Sequence, residues 1–372
     1  MSPHRRRPRR PVVSALMVVA LSAVAIAGCG GGRSTATPET STSTTVVLPT
    51  WPLTGLPGAD APTAGAHPAI TVKMDNSPDA RPQTGIERAD IVYELLVEGI
   101  TRFALVFHSG LPEPVGPLRS ARSSDIDLVS ALSTPVFAWS GGNPGVEGEV
   151  AAAARRGLLT DASYSAAFDA YFRSTDRIAP HNLYVNLPKL LELKAPAGQG
   201  APMPVFTYRA ADADPAVVGG VPALGMSVDF GMGTVIDYLW DAGRNGWRRF
   251  QVDGSHARRD SATMDRAGGQ VTPANVVVMF TEYGQSPSDS RSPMALTVGS
   301  GRAIVYTAGR AIEGTWTRPD ARTPAVLRDA AGSVIALTPG RTWVELPRTG
   351  STVTTYSAAD QALLDQLAAA GR

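Results

Sequence analysis

The chain carries the run IVYELLVEGITRFALVFH at residues 91–108, and this run decides the fold of the first half. Its two β-rich segments, Ile91–Val97 and Arg102–His108, flank Glu98-Gly99, which favours a hairpin of two antiparallel strands. Because side chains alternate across a strand, Glu94 would share a face with apolar neighbours. A carboxylate in such a place needs a polar partner, so the hairpin predicts both a core and a buried charge.

Outward from the hairpin, helix and strand signals alternate. Ser123-Ser124-Asp125 is typical of a helix start, and Pro135–Trp139 reads as a buried strand. Helices are predicted at Val146–Arg156 and Leu187–Leu193. This alternation predicts an N-terminal α/β layered domain over residues 52–200.

The second half has a different pattern. Short strand signals recur between Thr234 and Leu346, separated by turn glycines. They predict a mostly antiparallel β domain over residues 225–347, followed by a C-terminal tail with a short helix over 348–372. The predicted fold class is therefore α+β or α/β, with an α/β layered domain followed by a β-rich one.

The first residues are typical of a targeting segment. Arginines precede the uncharged run Val12–Ile26, which is shorter than the ~20 residues of a membrane-spanning helix. The run ends in Ala27-Gly28-Cys29, which resembles a bacterial lipobox, with a plain secretory peptide as the alternative. We predict a lipoprotein signal peptide at 1–28, acyl chains such as palmitate on Cys29, and a flexible Gly/Ser/Thr/Pro tether at 29–51. The protein would then be anchored to the outer face of the cytoplasmic membrane.

Composition narrows the possible functions. Among 372 residues, 34 Lys and Arg balance 33 Asp and Glu, so no basic surface is expected and nucleic acid is not a predicted partner. A single cysteine excludes a disulfide framework, and the five histidines lack metal-ligand spacing. The sequence has no nucleophile elbow, phosphate loop or zinc-protease motif. We therefore predict no cofactor and no metal.

The first candidate site is the loop Val115–Ser123, which carries Arg119 and Arg122. Two guanidinium groups beside free backbone N–H groups at a helix start form a good anion site. Alternatively, one arginine pairs with Asp125 or Asp127 and the other is solvated.

The second candidate site is Arg177–Tyr184, where Pro180 stiffens the backbone before His181 and Asn182. A histidine beside an amide could act as an acid or base, with the amide orienting it. The alternative is that the pair hydrogen-bonds a loop in place.

The third candidate is Glu94 itself. Arg102, across the turn, is the first expected partner, and Arg119 and Arg122 are alternatives. The pairing could be a structural salt bridge or part of a polar pocket. Arg249, which lies near His256 in the second half, is expected to belong to an exposed basic turn and is assigned no function.

These segments resemble the YerB-like lipoproteins, the DUF3048 family, over roughly residues 54–347. The segments that carry the resemblance are Ala80–Gly85, Ala89–Glu94, Glu98–Phe103, Gly116–Arg122, Ala179–Tyr184, Gly254–His256, Asn275–Val278, Gly299–Gly301, Gly314–Trp316 and Pro339–Trp343. The resemblance implies a two-domain bacterial surface lipoprotein, and it implies no reaction.

Two functions of different classes remain open. The first is an accessory envelope lipoprotein that binds an anionic cell-wall ligand or an envelope protein, using the residues Arg102, Arg119, Arg122, Arg177 and Asn182. The alternative is an enzyme acting on a polyprenyl-pyrophosphate-linked or peptidoglycan substrate, with Glu94 or His181 as the catalytic acid or base.

Overall fold

The structure, a computed structural model, describes residues 48–210, 213, 219–252 and 260–370. The lipidation predicted at Cys29 lies outside these residues, as do the signal peptide and most of the tether. The helices are α1 (Ala61–Ala64), α2 (Ser123–Ser130), α3 (Pro144–Arg155), α4 (Leu187–Lys194) and α5 (Gln361–Ala370). None of these helices in the described ranges is long and apolar enough to cross a membrane.

The strands of the first half are β1 (Ile70–Met74), β2 (Ile91–Leu96), β3 (Thr101–Phe107), β4 (Val136–Ala138), β5 (Thr160–Asp161), β6 (Tyr171–Arg173) and β7 (Leu183–Val185). The strands of the second half are β8 (Val221–Pro222), β9 (Gly225–Gly231), β10 (Thr234–Asp241), β11 (Gly246–Val252), β12 (Asp260–Ala262), β13 (Met264–Asp265), β14 (Gly269–Gln270), β15 (Asn275–Met279), β16 (Tyr283–Gln285), β17 (Pro293–Ala295), β18 (Gly299–Thr307), β19 (Arg310–Arg318), β20 (Val326–Asp329), β21 (Thr342–Leu346) and β22 (Val353–Tyr356).

The run at 91–108 folds as the expected antiparallel hairpin of β2 and β3. Glu94 lies opposite Phe103 and Leu95 lies opposite Arg102. Residues directly opposite each other share a face, so Glu94 and Arg102 point to opposite sides of the sheet. Both strands are buried throughout because the sheet is covered on both faces.

An eleven-stranded sheet passes through both halves of the described chain. Its order is β20-β19-β18-β15-β21-β2-β3-β1-β4-β5, with β8 paired to β19. Strand β21 is parallel to both β2 and β15, so a strand from the second half joins the two halves. The described residues accordingly form one compact unit, and the division into domains at 52–200 and 225–347 stays a prediction.

The two faces of this sheet are covered differently. Ile126, Leu128 and Val129 of α2 pack against one face. The other face packs against a five-stranded antiparallel sheet of order β12-β11-β10-β9-β22, which contributes Tyr238 and Trp247. The predicted class is confirmed: the first half contributes a mixed sheet with helices, and the second half is mostly antiparallel.

The segment after residue 347 contains more than the predicted helix. Strand β22 pairs with β9 along the edge of the five-stranded sheet. Leu364 and Leu367 of α5 are buried against Phe250 and Tyr356. Both elements therefore belong to the folded unit.

Candidate functional site: an arginine cluster beside an Asp–His pair

The site begins where the segment 115–119 runs between two strands. Its backbone bonds to Val185 and Leu183 of β7 on one side and to the end of β1 on the other, where the Arg119 amide donates to the Lys73 carbonyl (2.9 Å). A Cβ on Gly116 would lie 2.6 Å from the Tyr184 ring, so glycine is needed for this approach. The two predicted segments, around Arg119 and His181, therefore meet at the end of β1.

Asp75, directly after β1, is the acceptor at the centre of this meeting point. Its Oδ2 accepts from His181 Nδ1 (2.7 Å) and lies 2.9 Å from Arg119 Nε. Its Oδ1 accepts from the Ser77 amide (3.0 Å). Burial alone would raise the pKa of Asp75, but the Ser77 amide, the Arg119 charge and His181 together hold this pKa below its ordinary value. Asp75 is therefore ionised at neutral pH.

His181 is oriented by this carboxylate. Because Nδ1 faces Asp75, Nε2 points away from it, and the next carboxylate oxygen, Oδ2 of the exposed Asp79, is 3.9 Å from Nε2. Ser77 Oγ is 3.1 Å from the same Nδ1 that meets Asp75. A serine–histidine–aspartate triad needs its serine and its aspartate on opposite ring nitrogens, so this group has a different geometry. The arrangement suits an imidazole that exchanges a proton at Nε2.

Arg102 lies on the α2 side of β3. It precedes Phe103, the residue paired with Met74 at the end of β1, and is therefore close to Asp75. Its side chain is 8% exposed, and its nearest carboxylate is Glu98, with a 3.8 Å separation. Its Nε and Nη1 are buried and have no hydrogen-bond partner among the described residues. Burial and the neighbouring Arg122 charge lower the pKa of Arg102 to about 10, so the guanidinium still carries its charge at neutral pH.

Arg122 is fully engaged within the protein. Its Nε and Nη2 donate to the two carboxylate oxygens of Glu98 (2.7 and 2.8 Å), and its Nη1 donates to the Ala121 carbonyl. Burial acts to raise the pKa of Glu98, but Arg122 and Ser292 lower it to about 2. The predicted alternative, pairing of an arginine with Asp125 or Asp127, is wrong because Glu98 takes Arg122 and Asp75 takes Arg119.

A carboxylate of α2 itself, that of Asp125, lies at the helix start beside these arginines. Asp125 accepts from the Arg122 amide (2.7 Å) and from Lys73 Nζ (2.6 Å), and both charged side chains are fully buried. A carboxylate at this position favours the positive end of the helix. It accepts from the Arg122 amide alone among the described backbone amides at the helix start, and the anion site predicted beside this helix stays a prediction.

Charges of both signs meet here. Lys73, Arg102, Arg119 and Arg122 lie among the carboxylates of Asp75, Glu98 and Asp125, and the exposed Asp79 is 3.9 Å from His181 Nε2. We call Arg102, Arg119 and Arg122 the arginine cluster. The Arg119 side chain is 24% exposed and that of His181 is 17% exposed, so solvent reaches the cluster from their side.

Glu94 is not part of this site, and its predicted partner is wrong. Its Oε2 accepts from Arg249 Nη2 (2.6 Å), and its Oε1 accepts from Thr101 Oγ1 (2.6 Å). The physical reason is register: Arg102, Arg119 and Arg122 lie on the other side of the sheet. Arg249, expected in an exposed turn, is fully buried on β11, with Cζ 4.6 Å from the centre of the Trp343 ring.

A second carboxylate lies beside Glu94. Glu345 is level with it on the parallel strand β21, and Tyr238 Oη donates to Glu345 Oε1 (2.5 Å). Burial and the Glu94 charge raise the pKa of Glu345 well above its ordinary value. The raised pKa favours the protonated form of Glu345, while Glu94 is paired with Arg249. We call Glu94, Arg249, Glu345 and Tyr238 the buried glutamate cluster.

Arg177 and Asn182 hold the loop that presents His181. Arg177 donates from Nη1 to the Asp79 carbonyl (2.9 Å) and from Nη2 to the Pro82 carbonyl (2.5 Å). Asn182 accepts from Arg173 and donates to the Ser174 carbonyl. Direct contact of either residue with a ligand stays a prediction.

Three important residues were missed by sequence reasoning: Lys73, Asp75 and Arg249. Lys73 stands inside the otherwise uncharged run Ile70–Met74, and a lysine in a fully buried strand signals a buried partner. Asp75 was interpreted as turn chemistry, although its position at the carboxyl end of a buried strand could have marked it. Nothing local distinguishes Arg249 from its neighbour Arg248.

The described residues contain no group of three or more histidine, cysteine or acidic side chains placed to hold a metal ion. The arrangement can chemically do two things. It can bind an anion through unpaired guanidinium donors, and it can move a proton at His181 Nε2.

The fold and site define a two-part α+β protein whose halves share one sheet, with a cationic site at the carboxyl end of β1. Family models described as "Protein of unknown function (DUF3048) N-terminal domain" and "Protein of unknown function (DUF3048) C-terminal domain" match residues 53–199 and 226–344. The chain belongs to the DUF3048 family.

A relative and a solved structure agree with this assignment. Over 306 residues the chain is 30% identical to the Bacillus subtilis (strain 168) protein named "Putative lipoprotein YerB", covering 79% of this chain and 85% of the relative. The crystal structure of YerB protein from Bacillus subtilis matches with a TM-score of 0.67 at 23% identity, covering 82% of this chain and 99% of that one. This structural likeness shows the shared fold.

Proposed function

We propose that this protein is a lipoprotein, anchored through Cys29 to the outer face of the cytoplasmic membrane, that binds an anionic ligand of the cell envelope at the arginine cluster. The lipobox-like end of the apolar run and the name of the Bacillus subtilis relative support the anchoring. The binding proposal depends on one observation: two buried guanidinium nitrogens of Arg102 have no hydrogen-bond partner among the described residues.

Arg102 is buried but incompletely paired. A buried donor without an acceptor costs about 1–3 kcal/mol, so native proteins rarely leave two on one side chain. Two nitrogens of Arg102, Nε and Nη1, have no hydrogen-bond partner among the described residues, and the charges of Arg122 and Arg119 act on the same guanidinium. Phosphate or carboxylate oxygens would supply the missing acceptors.

Binding of inorganic pyrophosphate to the full chain, followed by isothermal titration calorimetry, tests this proposal. Arg102→Gln should weaken binding about tenfold or more, because it removes a charge-assisted contact. Arg328→Gln is the matched control, since Arg328 is exposed at the far strand β20. Citrate in place of pyrophosphate distinguishes a carboxylate ligand from a phosphate ligand. Affinity that Arg102→Gln leaves unchanged for both anions would contradict the proposal.

A second candidate function is an enzyme acting on a polyprenyl-pyrophosphate-linked substrate. The specific observation in its favour is the Asp75–His181 pair, with 2.7 Å between Oδ2 and Nδ1. Arginines would stabilise the phosphate charge while His181 Nε2 transfers a proton. Phosphate release from farnesyl pyrophosphate, measured with and without Mg²⁺, tests it. His181→Asn should lower the rate about 100-fold or more, and a wild-type protein without turnover would end this candidate.

A further inference from the structure

A polar cavity lies beside the backbone of the segment that carries Arg119. It has a volume of about 400 Å³ and is lined among others by Trp139, Gly141, Glu147, Asp161 and Tyr164. Its place is the carboxyl end of the parallel strands β4 and β5, where open α/β sheets commonly bind ligands. We call it the β4–β5 cavity. Its volume lies in the range of small-molecule sites, about 300–1,000 Å³.

The wall of the β4–β5 cavity is joined directly to the arginine segment. The Ser140 amide donates to the Arg119 carbonyl (3.1 Å), and the Ala121 amide donates to the Gly141 carbonyl (3.2 Å). Gly141 has a φ of +82°, which favours glycine, and a Cβ there would lie 3.2 Å from Ser120 Oγ. A ligand extending past Ser140 and Gly141 would therefore reach from the cavity toward the cluster.

The cavity wall carries two carboxylates, Asp161 and Glu147, beside several hydroxyl groups. Asp161 Oδ1 accepts from Trp139 Nε1 (3.0 Å) and from the Ser163 amide (3.0 Å), while Oδ2 receives only a 3.4 Å contact from Ser163 Oγ. The side chain of Glu147, exposed on the first turn of α3, has no hydrogen-bond or ion-pair partner in the described part of the chain. Two carboxylates disfavour an anion and favour a ligand that is rich in hydroxyl donors.

Aromatic side chains complete the lining. Trp139 and the half-buried Tyr164 both contribute to the wall. Hydroxyl donors that meet carboxylates, together with C–H faces that pack on aromatic rings, are the chemistry of a sugar ring. We infer that the β4–β5 cavity binds a neutral sugar unit, and that the anionic ligand of the arginine cluster is a saccharide carrying a phosphate. This inference deepens the proposed function and rests on it for the phosphate end of the ligand.

Chitotriose and maltotriose are suitable neutral probes, titrated into the full chain in a detergent without a sugar headgroup. At least one should bind, with saturation-transfer NMR signals from the sugar C–H groups. Glu147→Gln should weaken this binding about tenfold, because a carboxylate acceptor becomes a neutral amide. Tyr164→Ala should weaken it up to about tenfold, and Tyr164→Phe should retain most of it.

Glu149→Gln is the matched control on the same helix, since Glu149 meets Ser288 and does not line the cavity. Thermal unfolding of each variant identifies any that fails to fold. The inference is wrong if neither trisaccharide binds, or if binding is unchanged by both Glu147→Gln and Tyr164→Ala.

Pyrophosphate and glucose 1-phosphate separate the two sites. Arg102→Gln should weaken pyrophosphate binding and leave trisaccharide binding within about twofold, and Glu147→Gln should do the reverse. Glucose 1-phosphate should lose affinity in both variants. Sugar binding that depends on Glu147, without any pyrophosphate binding, would refute the anion site and keep the sugar site. Pyrophosphate binding without sugar binding would refute the sugar site alone.

Discussion

Two charged clusters lie on opposite faces of the sheet around β2, β3 and β1. They differ in the distance between a buried arginine and its nearest carboxylate. On the face toward the five-stranded sheet, Glu94 meets Arg249 at 2.6 Å, and both side chains are fully buried. On the face toward α2, Arg102 is nearly as buried but has its closest carboxylate at 3.8 Å.

This difference in ion-pair distance is one reason for proposing that the arginine cluster binds a ligand and that the Glu94–Arg249 pair stabilises the fold. The carboxylate of the Glu94–Arg249 pair is satisfied by its neighbours, and the pair joins the two halves of the chain. The arginine cluster lies at the carboxyl end of β1 and is open to solvent through Arg119. Two Arg102 nitrogens there have no hydrogen-bond partner among the described residues, as is also true of Arg249 Nε in the other cluster, so the distinction depends on the ion-pair distance and on solvent access. Buried donors without an acceptor call for an explanation, and for Arg102 we propose a bound anion.

The largest effect on stability should follow from removing the positive charge of the buried glutamate cluster. Arg249→Met leaves the Glu94 carboxylate buried without a counter-charge, which should reduce the free energy of unfolding by about 3–5 kcal/mol. Urea unfolding of the full chain measures this loss. The double variant Glu94→Gln with Arg249→Met should recover much of it, because no lone charge then remains. If Arg249→Met alone were as stable as the wild type, the structural role assigned to the Glu94–Arg249 pair would be wrong.

The next effect is a pH dependence from Glu345. Its pKa is raised in the folded state, so above its ordinary value of 4.5 the unfolded chain releases a proton that the folded chain keeps. The wild type therefore loses stability as pH rises toward the folded-state pKa, by up to about 1.4 kcal/mol per pH unit. Glu345→Gln cannot ionise, so its stability relative to the wild type should improve from pH 5 to pH 8. A constant difference across this range would show that Glu345 is not protonated.

Asp75→Asn should have an intermediate effect on the open face. The pKa of Asp75 is lowered in the folded state, so its charge stabilises the protein above the ordinary value of 3.8. The variant should lose about 1–3 kcal/mol at pH 7, since charged contacts with Arg119 and His181 become neutral. The deficit should shrink as pH falls below 3.8, because the unfolded wild-type chain then takes up a proton on Asp75 that the folded chain binds only at lower pH. Urea titrations at pH 7 and pH 3 measure both values.

The smallest stability effect is expected for Arg102→Gln. The substitution loses packing of the aliphatic part of the Arg102 side chain but also removes two unpaired buried donors. The net change in the free energy of unfolding should therefore stay within about 1 kcal/mol. The same variant should lose pyrophosphate binding. This contrast with Arg249→Met sharpens the distinction between the two faces. A loss of several kcal/mol would instead place Arg102 among the structural residues.

Much of the local structure was predictable. The hairpin, the start of α2 and the strand β21 follow from alternation, capping residues and β-rich runs, which are properties of neighbouring residues. Strands β9 and β22 were not recognised: Gly225–Gly231 carries glycine at both ends, and β22 pairs with β9, which lies far back along the chain. Their strand character depends on the partner more than on their own composition.

The candidate site was predictable in part. Arg119 and His181 were singled out from their loops, and the structure brings both to Asp75. Their shared acceptor was missed because an aspartate after a strand also has the sequence of an ordinary turn. The partner of Glu94 was wrong because the nearest arginine in sequence lies on the opposite face of the hairpin.

By itself, the sequence determined the hairpin, the change from α/β to antiparallel pattern near residue 200, and which loops carry arginine and histidine, because each depends on residues close together in the chain. The tertiary structure alone decided which charges meet. Arg249 reaches Glu94, and Arg102 is left without a close partner, through the packing of one sheet on another. Pairing depends on distance and on sheet face, and neither is written in the spacing of residues along the chain.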